Sequence, residues 1–230
     1  DSNIARVRLN PNGVFTTRLT GAIATSGLGS PSTVISEAPT YVVLETSALR
    51  LIVNKTPFGV RAERPDGTLI VEDAEPAVEW NGATGVITSV KTTEPGQPYF
   101  GLGLRGGPLN RRGDTFKMRN TDQCCYGEFD GPLYVSVPFY YSERNGRFFG
   151  VFHDNAAEAS FDMDSRNRGE ITYRAQRGEL DYYLCAGPAP RDVVREFSRL
   201  TGYSPLPPLW SLGYQQSRYG YQSSAEILNL

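Results

Sequence analysis

Along most of this chain hydrophobic and polar residues alternate in short runs, the period-two pattern of half-buried β-strands. The pattern is strongest from Tyr41 onward. Tyr41 to Leu44 is an apolar run; Leu49, Leu51 and Val53 alternate with Arg50 and Ile52; Phe58, Val60 and Ala62 alternate with Gly59, Arg61 and Glu63. Pro65-Asp66-Gly67 supplies a turn, and Thr68 to Val71 reads as the returning strand. A second strand pair, Leu133 to Tyr141 and Arg147 to Phe152, flanks the turn signal Asn145-Gly146; Ile171 to Arg174 and Leu180 to Leu184 add two more strands. Residues 1–40, rich in Gly, Ser and Thr, admit two edge strands. Many short strands joined by Gly/Pro turns predict an antiparallel β-sandwich over residues 1–187.

The period changes after Gly187. Pro188 and Pro190 open a segment in which Val193, Val194, Phe197 and Leu200 share one face of a helix, while Arg191, Glu196 and Arg199 face water and Gly202 caps the end. The proline-rich connector Pro205-Leu206-Pro207-Pro208 leads to Trp210–Tyr214, which reads as a buried strand, and then to a second helix from Ser223 to Leu230. A strand followed by a helix is the first unit of a βα architecture. Residues 188–230 are therefore expected to be a linker helix and the start of a second domain, completed by further polypeptide or by a second chain.

Composition narrows the function classes. At 230 residues, with 39% hydrophobic and 21% charged, the chain has room for one large domain, or for one domain and a piece of another. A net charge of −2 provides no basic field for nucleic acid or an anionic membrane surface. No apolar run reaches the ~18 residues of a membrane helix, and no signal-like stretch follows Asp1. Nearly all the positive charge is arginine; Lys55, Lys91 and Lys117 are the only lysines. Adjacent Cys124 and Cys125, with distant Cys185, make no disulfide framework and read as free thiols, which favours a reducing, cytoplasmic compartment and leaves a secreted or periplasmic one open. Asn54-Lys55-Thr56 matches a glycosylation sequon, a triplet that often arises by chance.

Two motifs are decoys. Gly101-Leu102-Gly103-Leu104-Arg105-Gly106 matches GxGxxG, but Pro108 and Arg111-Arg112-Gly113 follow instead of an apolar helical period. Without a helix to receive pyrophosphate, these glycines are assigned to tight turns or close backbone approach. His153 is the only histidine, and it reads as a strand-end or partly exposed residue rather than a catalytic base. Cys124-Cys125 lacks zinc-ligand spacing, so no metal is expected. The informative block is Pro207-Pro208-Leu209-Trp210-Ser211-Leu212-Gly213-Tyr214-Gln215-Gln216-Ser217-Arg218-Tyr219-Gly220-Tyr221. It is an apolar segment ending in Gln, Arg and aromatics. At the C-terminal end of a barrel strand such groups line a substrate pocket; otherwise they form a core strand with an aromatic rim.

With this block the chain resembles glycoside hydrolase family 31, which includes α-glucosidases. Three upstream blocks agree in order and spacing: YFGLGLRGGPLNRRG, MRNTDQCCYGEFDGPLYVSVPFYY and GRFFGVFHDNAAEASFDM. The resemblance covers about residues 40–230. It implies a galactose-mutarotase-like N-terminal β-sandwich, residues 1–187, followed in 188–230 by the first strand and helix of a catalytic (β/α)8 barrel. It also implies retaining hydrolysis of α-glucosides by two carboxylates, with no cofactor, both carboxylates lying later in the barrel than Leu230. Partners implied are an α-linked oligosaccharide and the remainder of the barrel. Alternatives are an α-glucosyltransferase or α-galactosidase of the same family, or a stand-alone carbohydrate-binding β-sandwich. Residue by residue, Asp122 in Asn120-Thr121-Asp122 matches the family's substrate-binding Asp on a sandwich loop over the barrel mouth. Tyr219 matches an aromatic position that walls the pocket, and Arg218 binds substrate or braces the pocket through a carboxylate. On its residues alone, Asn120-Thr121-Asp122 reads as a turn.

Overall fold

The computed structural model describes residues 3–15, 20–24, 28–215 and 220–229. In chain order the strands are β1 (Ile4–Leu9), β2 (Val34–Glu37), β3 (Tyr41–Glu45), β4 (Arg50–Lys55), β5 (Phe58–Glu63), β6 (Leu69–Trp80) and β7 (Ile87–Thr92). They continue as β8 (Tyr99–Gly101), β9 (Thr115–Met118), β10 (Phe139–Arg144), β11 (Arg147–His153), β12 (Ala159–Met163), β13 (Glu170–Ala175) and β14 (Leu180–Gly187). Helix α1 (Pro190–Thr201), a single 3-10 turn (Leu209–Leu212) and the short α2 (Ser224–Leu228) follow. The strands form a five-stranded sheet, β1-β14-β11-β10-β8, and a nine-stranded sheet, β2-β3-β4-β5-β6-β7-β13-β12-β9. All described pairings are antiparallel. The two expected edge strands of the first 40 residues are β1 and β2, each at the edge of its sheet.

The alternation read from sequence builds the interior. Ile87, Phe161, Met163, Ile171, Tyr173 and Ala175 point inward from the large sheet and meet Tyr99, Tyr140, Phe149, Val151 and Leu184 from the small one. Each such side chain contributes roughly 1.5–3 kcal/mol by leaving water. Strand β14 has no polar face because α1 covers its other side; all eight residues from Leu180 to Gly187 are buried. On that side Val193 and Leu200 pack with Phe152, Tyr183 and Cys185, and the Phe197 ring stacks on Phe139 at 4.0 Å.

Four expectations need correction. Strand β10 begins at Phe139 rather than Leu133, because the preceding stretch contains Pro132 and Pro138, which have no N–H for a ladder. The returning strand after Pro65-Asp66-Gly67 runs to Trp80 instead of stopping near Val71, carried past Pro76 by an irregularity between Asp73 and Val78. Glu196 is only 7% exposed, facing inward beside the Arg199 guanidinium at 2.9 Å, while Val194 points to solvent. Trp210–Tyr214 is not a buried strand: Leu209–Leu212 forms a 3-10 turn with Leu206 95% and Trp210 81% exposed. Among the described residues this run has no ladder partner, and its backbone is satisfied by local bonds such as Ser211 N–H to the Pro208 carbonyl, 3.0 Å. The second helix forms as α2, with the Ser223 hydroxyl accepting from Glu226 N–H at 3.2 Å, and Gly202 ends α1 at φ 93°.

Polar groups also occupy the inward face. Lys91 and Asp73 form an ion pair at 2.6 Å, with side chains 5% and 3% exposed. Burial opposes the Lys91 charge most strongly, but the Asp73 carboxylate, together with the Tyr182 and Tyr140 hydroxyls, outweighs it and holds the ammonium above its ordinary pKa. The ammonium also lies 4.2 Å from the centre of the Tyr182 ring.

Candidate functional site

The glycine-rich segment and Asn120-Thr121-Asp122 lie between β8 and β10, and each is built against the other. Gly103 adopts φ 82°, and a Cβ there would lie 2.5 Å from the Val135 carbonyl oxygen. At Gly106 an added Cβ would lie 1.8 Å from the Glu128 carbonyl oxygen. Neither position tolerates a side chain, so this segment lies flat on the returning strand of the loop. Leu102 N–H donates to the Phe139 carbonyl at 2.9 Å and Leu104 N–H to the Val135 carbonyl at 2.8 Å. No helix opens within 101–106, so the geometry of dinucleotide binding is missing and the glycines serve close backbone approach.

Two guanidinium groups brace this layer. Arg105 donates from Nε to the Leu102 carbonyl at 3.1 Å, and from Nη2 to the Lys117 carbonyl at 2.6 Å and Ser136 Oγ at 2.9 Å. Arg111, itself buried, donates from Nη1 to the Gly106 and Pro108 carbonyls at 2.9 and 2.8 Å. Burial, and secondly the charge of Arg111, hold the Arg105 pKa below the usual arginine value. The neck of the loop is tied from both sides. Asn120 Oδ1 accepts from Ser136 N–H at 2.7 Å, and Thr121 N–H donates to the Leu133 carbonyl at 3.0 Å. The Tyr134 hydroxyl donates to the Gln123 carbonyl at 2.7 Å, and its ring meets Tyr126 edge-on at 6.1 Å. Asp122 stands between these ties, exposed, and its carboxylate has no hydrogen bond to a described residue.

Two hollows flank the loop. A cleft of about 420 Å³ is lined by Arg111, Phe116, Lys117, Phe129 and Asp130. A groove of about 890 Å³ runs past Asn120, Val137, His153, Asp154, Glu158 and Phe197. His153 ends β11 as expected but is not partly exposed: at 2% exposure it stacks on Tyr173 at 3.8 Å. Burial, and secondly the Lys91 charge, drive its pKa well below the ordinary histidine value, so it stays neutral. Burial raises the Asp154 carboxyl pKa, an effect opposed by the Thr20 hydroxyl donating to Oδ1. Among the described residues no group of three or more His, Cys, Asp or Glu side chains is placed to hold a metal ion. Cys124, Cys125 and Cys185 are all free thiols, as expected.

Of the three candidate substrate-binding residues, Asp122 alone lies among the described residues. Arg218 and Tyr219 lie outside the described residues. Sequence reasoning missed Arg105, Arg111 and Tyr134, which carry the loop. The available signal was an arginine set among glycines, whose nearest acceptors are backbone carbonyls.

Residues 1–162 match the glycosyl hydrolase 31 N-terminal galactose mutarotase-like domain. The chain is 34% identical over 229 residues to Alpha-glucosidase 2 of Bacillus thermoamyloliquefaciens, covering 98% of this chain and 28% of that protein. It superposes on a GH31 dextranase of Flavobacterium johnsoniae, solved with isomaltotriose, at a TM-score of 0.85 and 31% identity, covering 93% of this chain and 26% of that one. The fold is also that of a cycloalternan-forming enzyme of Listeria monocytogenes, with a TM-score of 0.76, 22% identity, and coverage of 93% of this chain and 20% of that one. The chain thus spans little more than a quarter of the length of the first two relatives. Over the residues it does span, it belongs to glycosyl hydrolase family 31 and carries that family's N-terminal galactose mutarotase-like β-sandwich.

Proposed function

We propose that this chain is the N-terminal part of a retaining α-glucosidase-type hydrolase and that its β-sandwich delivers Asp122 to the mouth of the catalytic barrel. The observation that carries the reading is the Asp122 carboxylate: exposed, without a hydrogen bond to described residues, on a loop tied at its neck by Asn120, Thr121 and Tyr134. A turn-forming aspartate spends its carboxylate on nearby backbone N–H groups. This one leaves its acceptors available to sugar hydroxyls. Likeness over 98% of the chain to an α-glucosidase supports the same reading.

In this reading the sandwich occupies residues 1–187, and 188–230 are the linker helix and the start of the barrel. Arg218 and Tyr219 join Asp122 in binding a terminal glucosyl residue. The nucleophile and the acid/base are two carboxylates supplied by the rest of the barrel, a pair sufficient for retaining chemistry without a metal. The exposed Leu206, Leu209, Trp210 and Tyr214 are covered by that barrel. The 230-residue chain by itself is expected to hydrolyse nothing. A second reading, that the preferred substrates are α-1,6-linked, is favoured by the dextranase likeness at 31% identity.

The test is Asp122→Ala in the full-length enzyme, assayed on maltose and isomaltose. Losing one charge-assisted hydrogen bond, at roughly 1.5–3 kcal/mol, should lower kcat/KM by about one to two orders of magnitude. Thermal stability should hardly move, since an exposed carboxylate supports little packing. Wild-type kinetics with a much lower melting temperature would show Asp122 to be a turn residue.

A further inference from the structure

We propose that Cys124 and Cys125 form a thiol-redox site that closes reversibly to a vicinal disulfide and thereby resets the loop carrying Asp122. Both thiols are exposed, adjacent in sequence, and two and three residues from Asp122. The third cysteine cannot compete: Cys185 is buried under α1, and burial, with Glu196 second, pushes its thiol up to about 12. Cys124 and Cys125 are therefore the accessible nucleophilic sulfurs among the described residues, and each is the other's nearest resolving partner.

The backbone shows how closure would be felt. Cys125 sits in the left-handed region at φ 56°, so the chain reverses at the pair. Consecutive Cα atoms lie roughly 3.8 Å apart, inside the shortest ordinary disulfide span of about 4.4 Å. A bond here therefore forms only with rotation of the intervening peptide, and it is of the strained, exposed kind that is readily reduced. The rotation acts on Gln123, whose carbonyl is held by the Tyr134 hydroxyl, and Asp122 is the next residue along. Tyr134 lies within electrostatic reach of Asp122, Cys124 and Cys125 alike.

The oxidant is a small-molecule disulfide such as oxidised glutathione. One cysteine thiolate attacks it, forming a mixed disulfide and releasing one small thiol. The neighbouring thiolate then attacks the protein sulfur of that mixed disulfide, closing the Cys124–Cys125 bond and releasing the second small thiol. The two cysteine protons end on the two released thiols; two protein sulfurs are oxidised and one small disulfide is reduced. Closure needs only this pair and the small disulfide, whereas its kinetic consequence rests on the reading of Asp122 as a substrate ligand.

The experiment exposes the full-length enzyme to oxidised glutathione and follows the peptide containing both cysteines by mass spectrometry, alongside KM and kcat. The expected product has lost two hydrogens and carries no glutathione. KM should rise by about threefold or more, with both changes reversed by dithiothreitol. In Cys124→Ser and Cys125→Ser enzymes the remaining thiol should instead stop at a glutathione adduct. Separate adducts on both cysteines of the wild type, no reaction at all, or a disulfide with unchanged KM would each overturn the proposal. If closure shifts KM while Asp122→Ala is kinetically silent, the redox site stands and the assignment of Asp122 falls.

Discussion

Removing the Asp73 charge isolates the energetics of the polar group buried between the sheets. Asp73 and Lys91 face each other at 2.6 Å and are almost fully withdrawn from solvent. Asp73→Asn keeps the size and an acceptor for the Val60 N–H, which now donates to Asp73 Oδ2 at 2.9 Å. What it removes is the counter-charge of an ammonium enclosed by Tyr182 and the core. An orphaned buried charge costs about 3–5 kcal/mol. At this chain length each kcal/mol shifts the melting temperature by about 2–4 °C, so the expected fall is roughly 6–20 °C. The double variant Asp73→Asn with Lys91→Met removes the ammonium as well while preserving the Val60 bond. It should return to within about 1–2 kcal/mol of the parent, since an apolar replacement of a buried pair is close to neutral. Urea unfolding of the three chains by circular dichroism measures this directly. A single variant that loses less than about 1 kcal/mol would mean that water or proton release relieves Lys91, and the electrostatic account would fail. A double variant as unstable as the single would locate the loss in the strand geometry around Val60 instead.

Two further predictions use the same assays. Because burial lowers the His153 pKa, the folded state takes up no proton there, while the unfolded chain does below about pH 6.5. Stability should therefore fall as pH drops from about 6.5 toward the lower folded value, by up to about 1.4 kcal/mol per unit. His153→Phe, which keeps a ring against Tyr173 and Phe161, should remove that part of the slope between pH 7 and 5; an unchanged slope would assign it to other groups. Arg105→Met should loosen the Lys117 and Ser136 contacts, lowering stability by about 1–3 kcal/mol and raising KM in the full-length enzyme. An unchanged KM in a destabilised variant would separate the brace from substrate binding.

What was legible in the sequence follows from which forces are local. The strands Tyr41–Glu45, Arg50–Lys55 and Phe58–Glu63 were readable because each carries a short apolar or alternating run and returns through a short turn, so the pattern is printed in the residues. Strand β14 was readable as apolar but not as two-sided; only the arrival of α1 explains why Tyr183 and Cys185 are buried as well, while Asp181 is held by the Arg6 and Arg8 guanidinium groups of β1. Strand β7 was missed because its inward positions include Ser89 and Lys91, which resemble a solvent face until Asp73 is brought opposite from the neighbouring strand. Glu196 was placed outward by the helical period, since charge alone does not announce that Arg199 will cover it. In the loop, Asp122 was singled out only through the family resemblance, since its motif alone reads as a turn, whereas the loop's support depends on contacts between residues 12 to 31 positions apart, such as Arg105 with Lys117 and Ser136. No window of a single sequence displays those.

A loop without its own secondary structure can add a group to a distant pocket only if it is ordered before the ligand arrives. Fixing one residue's backbone costs roughly 1–2 kcal/mol, so binding that had to order several residues around Asp122 would cancel the hydrogen bonds it gained. In this chain the ordering is supplied by the sandwich. The glycine layer at Gly103 and Gly106 brings the backbones together, Arg105 and Arg111 satisfy the carbonyls left over, and Asn120, Thr121 and Tyr134 close the neck. In the proposed hydrolase the sandwich would serve as a rigid mount, its value lying in the entropy already spent at the Asp122 loop. The same construction bears on the proposed thiol closure: strain introduced at Cys124 and Cys125 would not dissipate into a loose loop but would be delivered to Gln123 and Asp122, the residues between the pair and the tied neck.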